Sequence, residues 1–103
     1  MTLQELKQRC EKSGLKYAYG RFKRATLPPH LVAISTATNN FMADDKVYSK
    51  KTPIKLDYTY LEKDLDMENK IENEILGDIA WNKTEETYLS DEDIWQVSYF
   101  FEI

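Results

Sequence analysis

A polar stretch followed by a clean two-residue alternation constrains this fold most. Asn39 to Tyr48 (NNFMADDKVY) runs through Lys50 and Lys51 into Pro53-Ile54-Lys55-Leu56-Asp57-Tyr58-Thr59-Tyr60. Ile54, Leu56, Tyr58 and Tyr60 fall on one side of an extended chain, and Lys55, Asp57 and Thr59 on the other. That period marks a strand with one buried face. The period then changes. From Asp64 to Leu76, Met67, Ile71, Ile75 and Leu76 form one helical stripe, with Asp64 or Asp66 placed to cap its start and Gly77 to close it as a left-handed residue. Strand, long polar loop, strand, helix is the frame into which the rest must fit.

The remaining segments supply the partners of that strand and helix. Leu3, Leu6 and Cys10 stand at i, i+3 and i+7, a short helix begun at Thr2 and stopped at Ser13-Gly14. Leu15 to Lys23 reads as a strand with Leu15, Tyr17 and Tyr19 on one face. Gly20 is placed for a bulge or for a close approach by another backbone. Pro28-Pro29 forces an extended connection. Leu31 to Thr36, apolar on both faces over most of its length, suits a central strand. Ile79-Ala80-Trp81 begins a return strand, and Glu85 to Leu89 either continues it or forms a second short one. Trp95, Val97, Tyr99, Phe101 and Ile103 alternate to the C-terminus, which is expected to be tied into the sheet.

These segments predict an α+β fold, mostly an antiparallel sheet with two helices on one face, in the order α-β-β-(long loop)-β-α-β-β. With 103 residues there is chain for one core, so 1–103 is expected to be a single domain with a long loop or arm at about 37–51. Apolar residues at 42% and charged residues at 31% describe a folded chain rather than a disordered tail. No apolar run reaches the ~18–20 residues that would span a bilayer, and Met1 to Leu6 lacks the pattern of a signal peptide. The expectation is no membrane contact and assembly in the cytoplasm.

Chemistry-bearing motifs are sparse. Cys10 is the only cysteine and His30 the only histidine, so no intrachain disulfide and no structural zinc site of the usual Cys/His kind is available. Asp44-Asp45 and Asp91-Glu92-Asp93 lack the ligand spacing of a calcium loop and read as solvated turns. His30 has no companion in a nucleophile motif, and there is no glycine-rich phosphate loop. The sequence therefore predicts no catalytic residue, no metal and no cofactor. Tyr17, Tyr19, Arg21, Lys23 and Arg24 interleave rings with cations, as strands that stack on single-stranded nucleic acid do. The alternative reading makes the rings core and the cations a wet edge, and the net charge of −4 opposes phosphate binding.

That net charge conceals an asymmetry. Residues 1–55 carry eleven Lys/Arg against four Asp/Glu, or +7, whereas 56–103 carry three against fourteen, or −11. Either a basic strand pair and an acidic helix simply share one surface, or complementary faces steer head-to-tail self-association.

Taken in order, LKYAYGRFK (15–23), NNFMADDKVY (39–48), IKLDYTYLEKD (54–64), the acidic helix, Trp81-Asn82-Lys83 and the closing YFFEI (99–103) resemble the small tail-terminator or tail-completion proteins of long-tailed bacteriophages and prophages. These are also labelled minor tail or head–tail joining proteins. The resemblance spans almost the whole chain and departs from the pattern at His30 to Ile34 and at Met42 and Asp45. It implies a non-enzymatic virion subunit that forms a ring, typically a hexamer, on the head-proximal end of the tail tube. Its partners would be copies of itself, the tail tube protein and a head-completion or connector protein, with DNA only passing through the lumen. A related possibility is a head-closure or stopper subunit. On this view Asn40, Phe41, Met42, Lys46, Tyr48, Lys50 and Lys51 reach a neighbour or the tube. The lysines would pair with Glu68, Glu72 or Glu74 of an adjacent helix, and Phe41, Met42 and Tyr48 would be the apolar anchors.

Overall fold

The computed structural model describes residues 1–36 and 51–103. Helix α1 covers Leu3–Lys12, and Thr2 caps its start. The Thr2 hydroxyl accepts from the Glu5 N–H at 3.1 Å and donates to the Glu5 carboxylate at 3.3 Å. Gly14, at φ 90°, ends it in the left-handed region. Strands β1 (Lys16–Tyr19) and β2 (His30–Ser35) follow, then β3 (Pro53–Tyr60). Helix α2 begins at Leu65 with the Asp64 carboxylate accepting from the Met67 N–H at 3.1 Å. It runs to Lys70 and widens into a π turn over Ile71–Ile75. The short strands β4 (Trp81–Lys83) and β5 (Thr87–Leu89) precede the long final strand β6 (Ile94–Glu102).

The sheet order is β1-β2-β3-β6, with β4 and β5 both pairing the far side of β6. Every pairing is antiparallel except β1 with β2, and both helices lie on one face. This is the α+β architecture expected, with one more short strand after α2. Strand β2 is interior, as its two-sided apolarity requires. The C-terminus is tied down by reciprocal bonds, Thr52 N–H to Ile103 O at 2.8 Å and Ile103 N–H to Thr52 O at 2.9 Å.

The inner face of the sheet presents Leu31 and Ala33, then Ile54, Leu56, Tyr58 and Tyr60, then Val97, Tyr99 and Phe101. Against it the helices set Leu6, Cys10, Ile71, Ile75 and Leu76, all fully buried. The period-2 and helical stripes of the sequence thus meet in one core. Burying each such aliphatic side chain is worth about 1.5–3 kcal/mol.

Three details differ from the sequence expectations. The strand expected over Leu15–Lys23 stops at Tyr19, because Gly20 takes φ 83° and turns the chain while its N–H donates to Ala33 O at 2.8 Å. Residues 20–29 then cross the outer face so that β2 can run parallel to β1. Lys16 Nζ holds the crossing chain at Leu27 O, 3.0 Å away, and Phe22 packs edge-on to His30 at 5.0 Å. Finally, Gly77 is not left-handed. It is needed because a Cβ there would stand 2.1 Å from the Asn73 carbonyl oxygen, where the widened last turn passes close by. The loop at about 37–51, including the strand start suggested by Val47-Tyr48, lies outside the described residues up to position 50.

Candidate functional site

Two arrangements stand out: a polar network under α2, and the contrasting edges of the sheet. The network begins with Glu68, only 2% exposed on a helix whose other buried residues are apolar. Its Oε2 lies 2.6 Å from Lys63 Nζ and its Oε1 3.5 Å from Lys83 Nζ. Oε2 makes no hydrogen bond of good geometry, so the contact with Lys63 is chiefly an ion pair. One helical turn on, Glu72 accepts from Lys83 at 2.8 Å and from the Tyr99 hydroxyl at 2.8 Å. Burial pushes the Glu72 carboxyl up, but these two donors outweigh it and hold the group below its ordinary value of 4.5. Lys83 is correspondingly raised, chiefly by its bond to Glu72.

At the end of β3, Lys63 also bonds Glu86 at 2.6 Å, and the Tyr60 hydroxyl donates to the same carboxylate. These donors hold Glu86 low. Burial, joined by the bonds to Glu72 and Glu86, drives the Tyr99 and Tyr60 phenols well above their ordinary range. The network therefore holds its charges in fixed pairs. It fastens α2 to β4, β6 and the loop before β5.

The residues expected at an interface fall in different surroundings. Glu68 is buried and Glu72 is bonded within the chain by Lys83 and Tyr99, whereas Glu74 is exposed on the helix surface. Lys51 is exposed. Asn40, Phe41, Met42, Lys46, Tyr48 and Lys50 lie outside the described residues. Sequence reading missed Lys63, Lys83, Tyr60, Glu86 and Tyr99 as a unit. A signal was present: Lys63 and Lys83 are two of only three cations after Lys55, amid fourteen carboxylates. Lone cations in so acidic a segment gather acidic partners.

The nucleic-acid alternative also changes. Tyr17 is half-buried against the core, and burial pushes its phenol up to about 12. Tyr19 is half-exposed, and its hydroxyl accepts from the Ser35 N–H at 3.1 Å. Arg21, Lys23 and Arg24 are exposed on the crossing chain rather than on the strand, so rings and cations are not interleaved along one extended surface. Cys10 is fully buried, its thiol pushed up to about 12 by desolvation. Burial also lowers His30. Among the described residues no three His, Cys, Asp or Glu side chains gather to hold a metal ion, and no helix is long and apolar enough to cross a membrane.

The sheet edges separate the charge. Strand β1, one lateral edge, and the chain that follows it (16–29) carry Lys16, Arg21, Lys23 and Arg24 with no acidic residue. The opposite edge and its turn (84–93) carry Glu85, Glu86, Asp91, Glu92 and Asp93 with no basic one. Both edges also expose apolar side chains: Leu3, Tyr19 and Leu27 on the basic side, Tyr88 and Trp95 on the acidic side. Tyr88 and Trp95 pack on each other with ring centres 5.1 Å apart. Compared with known proteins, this chain matches no protein-family model and no curated sequence.

Proposed function

We propose that this chain is a non-enzymatic structural subunit of a long-tailed bacteriophage. In this reading copies of it form a ring, expected to be a hexamer, that closes the head-proximal end of the tail tube and offers the surface on which the head is joined. The observation that carries the reading is the placement of opposite charge on opposite edges of one sheet. A ring needs a heterologous contact between two different, complementary patches, and an isologous dimer does not. The resemblance of the sequence segments, in their order along the chain, to tail-terminator proteins supplies the biological setting. The α2 network suits the same role, because a subunit that bears load in a closed assembly gains from a helix fastened to its sheet by paired charges.

Charge reversal tests the reading. Arg21→Glu with Arg24→Glu is expected to abolish ring formation in mass photometry. Mixing that variant with Glu85→Lys/Asp91→Lys is expected to restore mixed assemblies. Association of the unmodified chain should weaken as salt rises past the ionic strength at which charges ~8–10 Å apart are screened. Assembly that ignores both reversals would refute the edge-to-edge reading. A monomer that ignores tail tubes and shifts labelled DNA instead would refute the tail reading.

A further inference from the structure

A shallow groove of about 470 Å³ runs beside the basic edge. Its walls are Leu3, Gln4, Lys7 and Glu11 of α1 and Tyr17 and Tyr19 of β1. β1 beside it is a lateral strand of the sheet. Gly20 N–H points at Ala33 O, and directions alternate along a strand, so the N–H and C=O groups of Tyr17 and Tyr19 point away from β2. Among the described residues no strand pairs with that side of β1. An unpaired strand edge beside a helix is the arrangement into which an extended segment adds by main-chain hydrogen bonds, with pockets for alternate side chains setting specificity.

The other edge of the molecule carries an extended segment of suitable kind. Strand β5 pairs only with β6 among the described residues. Its inner-face residue is Tyr88, directly opposite Trp95 and about half-exposed. Carboxylates flank it on both sides, Glu85 and the Lys63-paired Glu86 before and Asp91 to Asp93 after; Lys7 lines the groove together with Glu11, and Lys16 and Arg21 lie on the edge strand and the chain that follows it.

We infer that the groove between α1 and the outer edge of β1 receives strand β5 of a second copy. The two sheets join edge to edge, and the partner's Tyr88 seats among Leu3, Tyr17 and Tyr19. The inference rests on the ring proposed above and names the contact that builds it. Because β1 and β5 are different surfaces, each copy uses one edge toward each neighbour, and the contact repeats until it closes. Apolar seating and flanking charge act together: the ring supplies buried contact, and the charges fix which edge approaches which.

Cross-linking tests this contact separately from the ring itself. Ala18 and Thr87 lie on the outer face of their edge strands, away from the groove, and Cys10 is too buried to interfere. A short bis-maleimide should link Ala18→Cys/Thr87→Cys into a ladder of covalent oligomers and leave each single variant unlinked. Tyr88→Ala should weaken association roughly thirtyfold, the size of one hot-spot contact. Rings or tube caps that form with no ladder, or unaffected by Tyr88→Ala, would overturn the strand-addition contact and leave the ring standing. A ladder from a protein that never caps tubes would support the contact and remove the tail reading. No assembly of any kind would overturn both.

Discussion

Replacing Tyr99 by Phe removes one oxygen atom and tests the polar network most cleanly. Tyr99 is fully buried in β6, its hydroxyl donates to Glu72 Oε2 at 2.8 Å, and Phe fills the same space. A hydrogen bond to a charged group is worth about 1.5–3 kcal/mol. Glu72 keeps Lys83 at 2.8 Å and its side chain stays partly solvated, so the low end applies, about 1.5 kcal/mol. For a chain of this length that is a drop of about 6–12 °C in Tm. The effect must also depend on pH. The folded Glu72 carboxyl lies below its ordinary value of 4.5. The stability it supplies is therefore complete above that value and is lost as pH falls through the lower folded one. Urea unfolding of both proteins at pH 7 and at a series of falling pH values below 4.5 should show the difference shrinking as the carboxylate is neutralised. A loss under about 0.5 kcal/mol at pH 7, or one that does not change even at a pH where the folded carboxylate is protonated, would refute a charge-assisted bond between Tyr99 and Glu72.

Other residues give independent checks. Gly77→Ala forces a Cβ against the Asn73 carbonyl and should cost about 1–3 kcal/mol in urea unfolding; a neutral result would contradict the close approach at the end of α2. Cys10 should resist thiol reagents in the folded protein and react on unfolding, since its thiol is buried and pushed up to about 12; rapid labelling of native protein would contradict the packing of α1. Ile75→Ala, which empties a fully buried site between the π turn and the sheet, should cost about 2–5 kcal/mol. A cost below about 1 kcal/mol would mean that α2 is not seated on the core.

The elements most legible in the sequence were those whose periodicity is enforced by a one-sided core. Strands β3 and β6 alternate because one face meets two helices, and both were readable from Ile54 to Tyr60 and from Trp95 to Ile103. The caps at Thr2 and Asp64 were readable because each is a local bond between a side chain and a backbone three residues on. Longer-range features were not. The parallel pairing of β1 with β2 depends on where residues 20–29 cross the sheet, and no local pattern encodes that. Gly77 looked like a helix terminator, and only the spatial approach of Asn73 reveals its actual constraint.

The candidate site follows the same division. The charge asymmetry was visible in the two halves of the chain, but its placement on opposite edges required the strand order, which brings β5 beside β6 and leaves β1 at the far side. Glu68 and Glu72 looked like solvent-facing carboxylates of an acidic helix. Their partners Lys63, Lys83 and Tyr99 come from three separate segments, so only the assembled fold shows that these charges are already paired.

The most direct test of the proposed tail role is negative-stain microscopy of polymerised tail tubes of a long-tailed phage incubated with the purified protein. The account predicts one ring-shaped cap on a single end of each tube, and tubes that no longer elongate when fresh tube protein is added. Bare ends and continued elongation at saturating protein would contradict it.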